Sequence, residues 1–183
     1  MGLFVISFFG SKTVAASLES AQRQFDAGDY AACAKAIEAE LKDGAGGEER
    51  YLLLSRALMA SGKYPEALKE ITKALNEESQ SVRLRWQARE VFLANGQTTK
   101  AGQMVDEILR KVSSDPSSFR DAANLVVFGR AALAKNADPK RVLDQLFGTA
   151  LKADPKSRDV YLAGGELALD KHDFALAAKK FGE

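Results

Sequence analysis

Apolar residues recur at intervals of three and four along most of the chain, the spacing that lines one face of an α-helix. The clearest stretch is YPEALKEITKAL (64–75). Ala67, Leu68, Ile71, Ala74 and Leu75 form one stripe there, while Glu66, Lys69, Glu70 and Lys73 occupy the opposite face. Pro65 stands in the first turn, where a missing N–H costs nothing. Shorter stripes precede three glycines: Leu18, Ala21 and Phe25; Tyr51, Leu54 and Leu58; Leu84, Ala88, Val91 and Phe92. Each glycine supplies the positive φ with which helices commonly end, so the pattern predicts pairs of helices joined by tight turns.

The glycines are periodic. Gly28, Gly62 and Gly96 stand 34 residues apart, and so do Leu41, Leu75 and Leu109, and Cys33, Ala67 and Ala101. Three columns in one register define a helix-turn-helix repeat. The small residue of the third column lets the two helices of a hairpin approach closely. A further pair of units follows a phase break. LFGTALKADP (146–155) matches a second-helix ending, and YLAGGELALDKHDFALAAKKF (161–181) repeats the whole pattern with Phe174 in the place of Tyr30 and Tyr64. Asp138 to His172 again spans 34 residues, whereas Gly96 to Asp138 spans 42. The extra residues are expected in a longer first helix starting near Ser117 or Ser118, with NADPK as its connection.

These residues resemble the tetratricopeptide repeat family. The resemblance rests on Leu54, Ser55, Leu58, Gly62-Lys63-Tyr64, Ala67, Ile71, Ala74 and Leu75, and on Tyr161, Gly165, Phe174, Ala177 and Phe181. It covers about residues 14–183 and is strongest over 48–109. Cys33, Gln24 and Thr98 depart from the pattern, and the fourth unit lacks both turn glycine and aromatic. The resemblance implies an all-α, right-handed α-solenoid of about five helix-turn-helix repeats, the fourth irregular. It also implies that the concave surface of first helices binds a peptide or helix of another protein. The candidate groove residues are Leu52, Arg56 and Met59; Arg83, Trp86, Glu90 and Leu93; Leu125 and Phe128; and Leu162 and Glu166. Trp86 lies off the buried stripe of its helix, which leaves two roles open: a partner anchor, or packing against the neighbouring hairpin. The family's clamp for C-terminal carboxylates needs Lys, Asn and Arg where this chain has Leu18, Gln22, Leu52 and Arg56, so that ligand is not expected.

Composition narrows the functional classes. Twenty-six Lys and Arg against 25 Asp and Glu leave a net charge of +1, no footprint for a nucleic-acid backbone. One cysteine, Cys33, excludes an intramolecular disulfide, and with the one histidine, His172, it leaves few soft ligands for a structural zinc site, so no metal is expected. No phosphate loop, zinc-protease helix or nucleophile elbow occurs, so neither cofactor nor small-molecule substrate is expected. His172 takes the place of a turn glycine and reads as a helix-end residue, and Gly164-Gly165 reads as a close-packing site within a helix. Arg85 and Arg89, with Arg83 nearby, read as a solvated helix face able to receive an acidic ligand.

The two ends of the chain carry expectations of their own. Residues 1–16 open with MGLFVISFF, too short to span a bilayer, followed by small residues at Val14-Ala15-Ala16. They are read as a signal peptide, or as an apolar first segment, ahead of a repeat array over 17–183 whose last repeat is incomplete. Export implies a secreted or periplasmic, cell-envelope location; the apolar-segment alternative implies a cytoplasmic one. The reading favoured overall is a non-catalytic protein-interaction scaffold in a longer chain. Its competitors are a helical accessory region of a larger enzyme, with catalytic residues beyond residue 183, and an RNA-binding helical repeat.

Overall fold

The computed structural model describes residues 10–183, with side chains from Ser17 onward. Residues 1–9, most of the expected leader, lie outside the described residues. The order is α1 (Gly10–Asp26), α2 (Tyr30–Lys42), α3 (Glu48–Ala60), α4 (Tyr64–Glu77), α5 (Val82–Ala94) and α6 (Thr98–Ser114). A short 3₁₀ turn, Pro116–Phe119, leads into α7 (Ala122–Ala134), α8 (139–153), α9 (Arg158–Asp170) and α10 (Phe174–Gly182). No strand occurs among the described residues, and the fold is the all-α helical-hairpin repeat class read from the sequence.

The turn residues confirm the register and correct part of it. Gly28, Gly62 and Gly96 have φ of 82°, 71° and 72°. Beyond them the same left-handed turn is taken by Asn136 (φ 62°) and His172 (φ 60°), since Asn and His enter this region at lower cost than most side chains. The fourth turn therefore centres on Asn136, and Asp138 instead caps α8 by accepting the Arg141 N–H at 2.8 Å. The residues preceding the second helices, Asp29, Lys63, Gln97, Asp138 and Asp173, are spaced 34, 34, 41 and 35 residues apart. The first excess does not lengthen a first helix as expected, because α7 starts at Ala122 and has the same 13 residues as α3, α5 and α9. It is taken up by a 17-residue α6 and by the 3₁₀ turn. There Asp115 accepts hydrogen bonds from the Ser117 and Ser118 hydroxyls, which hold its carboxyl below the usual range. The single extra residue after Asp138 is absorbed inside α8, where Val142–Phe147 widens into a π-helical turn.

The helices group into two compact units. The first comprises the chain through Ser79 together with Val91–Gly96. In it α2 packs against α1 and α3, and α3 against α4. Its core holds Ile37, Leu54, Leu58, Ile71 and the free Cys33, whose thiol is pushed up to about 11 by burial and by Asp26 and Asp29 nearby. Ala67 is fully buried while Lys69, two residues on, is exposed, as the helical stripe requires. Ala67→Leu should therefore lower stability by roughly 1–3 kcal/mol through overpacking, and Lys69→Ala should change it little. Equal urea midpoints for the two variants would show that the face is rotated.

The second unit comprises Gln80–Glu90 and Gln97–Glu183. One apolar cluster joins Val82, Val105, Ile108, Val112, Val127 and Ala131; another joins Val126, Phe147, Ala150, Val160, Ala163 and Leu167. Small residues set how closely these helices approach. A Cβ on Gly129 would lie 2.5 Å from Phe147 Cε1, and one on Gly165 would lie 2.4 Å from Phe181 Cε1. The expected packing role of Gly165 is thus visible in the α9–α10 hairpin.

Candidate functional site

Within the second unit, α5, α7 and α9 are the first helices of successive hairpins, and they line a depression of about 600 Å³. Trp86 enters it from α5, Arg130 from α7 and Glu166 from α9. Trp86 is half-buried: one part packs on the Val82–Ile108 cluster and the rest borders the depression. The Arg89 guanidinium sits 4.8 Å from the Trp86 ring centroid, a cation–π arrangement that fixes the indole. Arg89 also donates to the Glu90 carboxylate. Across the depression Arg130 Nη2 donates to Glu166 Oε2 at 2.7 Å. Leu133, Ala137, Pro139 and Leu167 supply apolar wall between these charges. An aromatic anchor with charged pairs at the rim matches the composition of protein-recognition surfaces.

The other sequence candidates divide between the units. In the first unit Leu52 is buried, only 2% exposed, so it belongs to the core; Arg56 and Leu93 are exposed, and Met59 is half-buried. In the second, Arg83 and Glu90 are half-buried. Phe128, like Trp86, packs on the Val82–Ile108 cluster, and Leu125 packs on the neighbouring one. Leu162 borders a different hollow, with Tyr161 and Phe181. The structure thus brings Trp86 and Glu166 into one depression, with Glu90 tied to it through Arg89.

Arg85 is the residue whose place differs most from expectation. It is 7% exposed, and its Nε donates to Glu107 Oε2 at 2.8 Å while Nη1 donates to the Ser81 carbonyl at 2.8 Å. It is therefore a buried structural pair between α5 and α6 and forms no solvated face with Arg89. Arg130 was not among the sequence candidates. A signal for it existed: Arg130 and Glu166 stand 36 residues apart, as do the left-handed turn residues Asn136 and His172. They hold equivalent positions on successive first helices.

No group of three or more His, Cys, Asp or Glu able to hold a metal ion occurs among the described residues. None of the described helices is long and apolar enough to cross a membrane. His172 lies exposed in the last hairpin turn beside Phe174, with ring centroids 6.1 Å apart.

Fold and site together define a helical-hairpin repeat protein that presents side chains from successive first helices. The tetratricopeptide repeat family model matches residues 58–123, which lie within an array of like hairpins. No curated protein sequence matches the chain. Among solved structures it is similar to TTC0263, a thermophilic tetratricopeptide repeat protein of Thermus thermophilus, at 15% identity and a TM-score of 0.65. That match covers 92% of this chain and 88% of the other. It is also similar to the Yersinia enterocolitica type III secretion translocator chaperone SycD, at 18% identity and a TM-score of 0.54, covering 81% and 99% of the two chains. A third similar structure is PilF of Pseudomonas aeruginosa, at 14% identity and a TM-score of 0.55, covering 93% and 74%. At these identities the likeness is one of fold. The repeat-family match over 58–123 and the fold support a protein-interaction scaffold role in the general sense.

Proposed function

We propose that this scaffold is non-catalytic and binds a peptide or helix of a partner protein in the depression around Trp86. The observation that carries the reading is the single tryptophan of the chain, held half-buried by Arg89 at the edge of a hollow large enough for several side chains. Apolar walls would take the partner's hydrophobic residues. The Arg130–Glu166 pair can exchange its mutual contact for partner charges or amides. Short random peptides selected for binding to the full chain should alter the emission of Trp86. Trp86→Ala should weaken them about tenfold or more, the loss of roughly 1.4 kcal/mol or more expected of an aromatic anchor. Selected peptides that bind the Trp86→Ala protein equally well would overturn the reading.

We further propose a secreted or periplasmic, cell-envelope location, supported by the apolar run Met1–Phe9 and the small residues Val14-Ala15-Ala16. Expression in a bacterial host should yield an exported protein whose mature N-terminus lies near Ser17. Export with Met1 intact, or no export, would count against it.

A further inference from the structure

Two hollows of the second unit lie where α8 and α10 pack on α9, and Trp86 borders neither. The first, about 270 Å³, is walled by Pro139, Leu143, Leu167 and Leu176. The second, about 310 Å³, is walled by Leu143, Phe147, Leu151 and Val160. Leu143 borders both, so they run together as one furrow. The π-helical turn of α8 supplies Leu143, Asp144 and Phe147 to its wall, and such local widening recurs at functional sites. Gly164 keeps the floor low: a Cβ there would touch Leu143 Cδ1 at 3.7 Å and the Lys180 stem at 3.5 Å. The flank that carries the furrow is left to solvent inside the array as well. The third residue after the cap is charged and exposed on α4, α6 and α8, as Glu66, Lys100 and Arg141, although a further hairpin follows each of these helices. On α10 the same position is Leu176, half-buried in the wall of the first hollow. An apolar side chain stands there where the other hairpins carry a charge.

The first hollow is cationic at its mouth. Lys140 and Lys171 border it, and α8 and α10 both begin beside it, where the helix dipoles favour negative charge. Lys171 also borders the Trp86 depression. The acids nearby are already engaged: Asp173 accepts the Leu176 N–H at 3.0 Å, Asp144 pairs with Lys140, and Asp170 pairs with Lys171 at 2.8 Å. Lys180, at the second hollow, pairs with Glu183 at 3.2 Å. Among the described residues no Asn, Gln, Ser or Thr lines either hollow. A peptide main chain seated there would leave its amides without partners, whereas a hydrocarbon chain has none to satisfy.

We propose that the furrow binds a straight-chain carboxylate amphiphile of the fatty-acid type, its chain along Leu176, Leu143 and Val160 and its carboxylate at Lys140 and Lys171. Apolar walls without hydrogen-bonding side chains select the hydrocarbon, and the lysines with the two helix starts select the sign of the head group. Burial of the chain gives affinity in proportion to its length. The cationic mouth gives a preference that salt screens.

The test titrates the full chain by calorimetry with saturated straight-chain carboxylates of roughly six to twelve carbons, kept below the concentrations at which they aggregate. Affinity should rise about fourfold with each added CH₂ until the furrow is filled, then level off. The amine of equal chain length should bind about tenfold more weakly, with the gap closing as salt is raised. Leu176→Glu gives α10 the residue type that α4 carries at Glu66, so its circular dichroism should match the parent while carboxylate binding weakens about tenfold or more. Lys140→Glu, at an exposed position, should abolish the preference for carboxylate over amine. Trp86→Ala should leave binding unchanged, which separates the furrow from the depression proposed above. Absence of saturable binding, equal binding of the amine, a preference that survives Lys140→Glu, or a folded Leu176→Glu protein that binds as the parent does would each overturn the proposal. So would an acidic leucine-rich peptide that binds more tightly than every carboxylate, which would assign the furrow to a protein, or self-association that Leu176→Glu abolishes, which would assign it to a second copy.

Discussion

Gly129→Ala should lower the stability of the second unit by roughly 1–3 kcal/mol, whereas Gly165→Ala should be close to neutral. Distance alone does not separate the two sites. The added Cβ would meet Phe147 at 2.5 Å in the first case and Phe181 at 2.4 Å in the second. What separates them is whether the ring can move. Phe147 is 2% exposed and packed on all sides, with Val142 Cγ1 a further 3.1 Å from the same Cβ. Relief there needs a shift of α8 against α7, inside an interior already close-packed. Phe181 is 47% exposed and can swing toward water. Alanine also gains about 1 kcal/mol over glycine in a helix interior, which offsets the smaller cost at Gly165 but not the larger one at Gly129. Urea unfolding of both single variants would measure the difference. Gly129→Ala/Phe147→Leu should recover part of the loss, because the shorter side chain vacates the contact. Equal midpoints for Gly129→Ala and Gly165→Ala would show that the buried ring is as free as the exposed one.

The same residues show what the amino-acid pattern could and could not reveal. Gly28, Gly62 and Gly96 announce the period because a left-handed turn without glycine is costly, and that cost leaves a mark in the sequence. Asn136 and His172 meet the same requirement with side chains that also occur in many other settings. His172 is still legible because intact columns surround it. Asn136 is not, since Ala137 intervenes before the cap and an inserted segment precedes it. The one-residue excess in α8 has no local signature at all. A π-helical turn there satisfies the need to keep both ends of the hairpin in register, which is a tertiary condition. For the candidate site, Trp86 stands out as a large aromatic residue off its helix stripe. Its partners Arg130 and Glu166 lie one and two first helices further on, and their 2.7 Å contact depends on interhelical distance. Leu52 and Arg85 are buried because α3 and α5 bury more than one face: eight of the thirteen residues of α3 are buried. A single-stripe reading of such a helix assigns too much of it to solvent.

Glu40→Ala should cost the first unit about 2–3 kcal/mol, far more than loss of any exposed ion pair. Arg50 Nε donates to Glu40 Oε2 at 2.7 Å, and the two side chains are only 10% and 14% exposed. The pair spans the connection between α2 and α3, where Gly44 and Gly47 have φ of 86° and 114°. Arg50 also donates through Nη1 to the Gly46 carbonyl at 3.3 Å, so one guanidinium ties the helix end, the turn and the next helix together. Removing the carboxylate leaves a buried cation with less compensation. Breaking a fully buried pair from one side costs roughly 3–5 kcal/mol, and the residual solvent access here reduces that. Lys140 and Asp144 provide the contrast: their side chains are 84% and 54% exposed, and Asp144→Asn should shift stability by less than about 0.5 kcal/mol. A double-mutant cycle with Arg50→Met separates pairing from simple loss of contacts. Because the double variant no longer buries a charge, it should be more stable than Glu40→Ala alone, with a coupling above about 1 kcal/mol. Additive effects, or a Glu40→Ala midpoint in urea equal to that of Asp144→Asn, would show that the turn is held by its backbone and not by the pair.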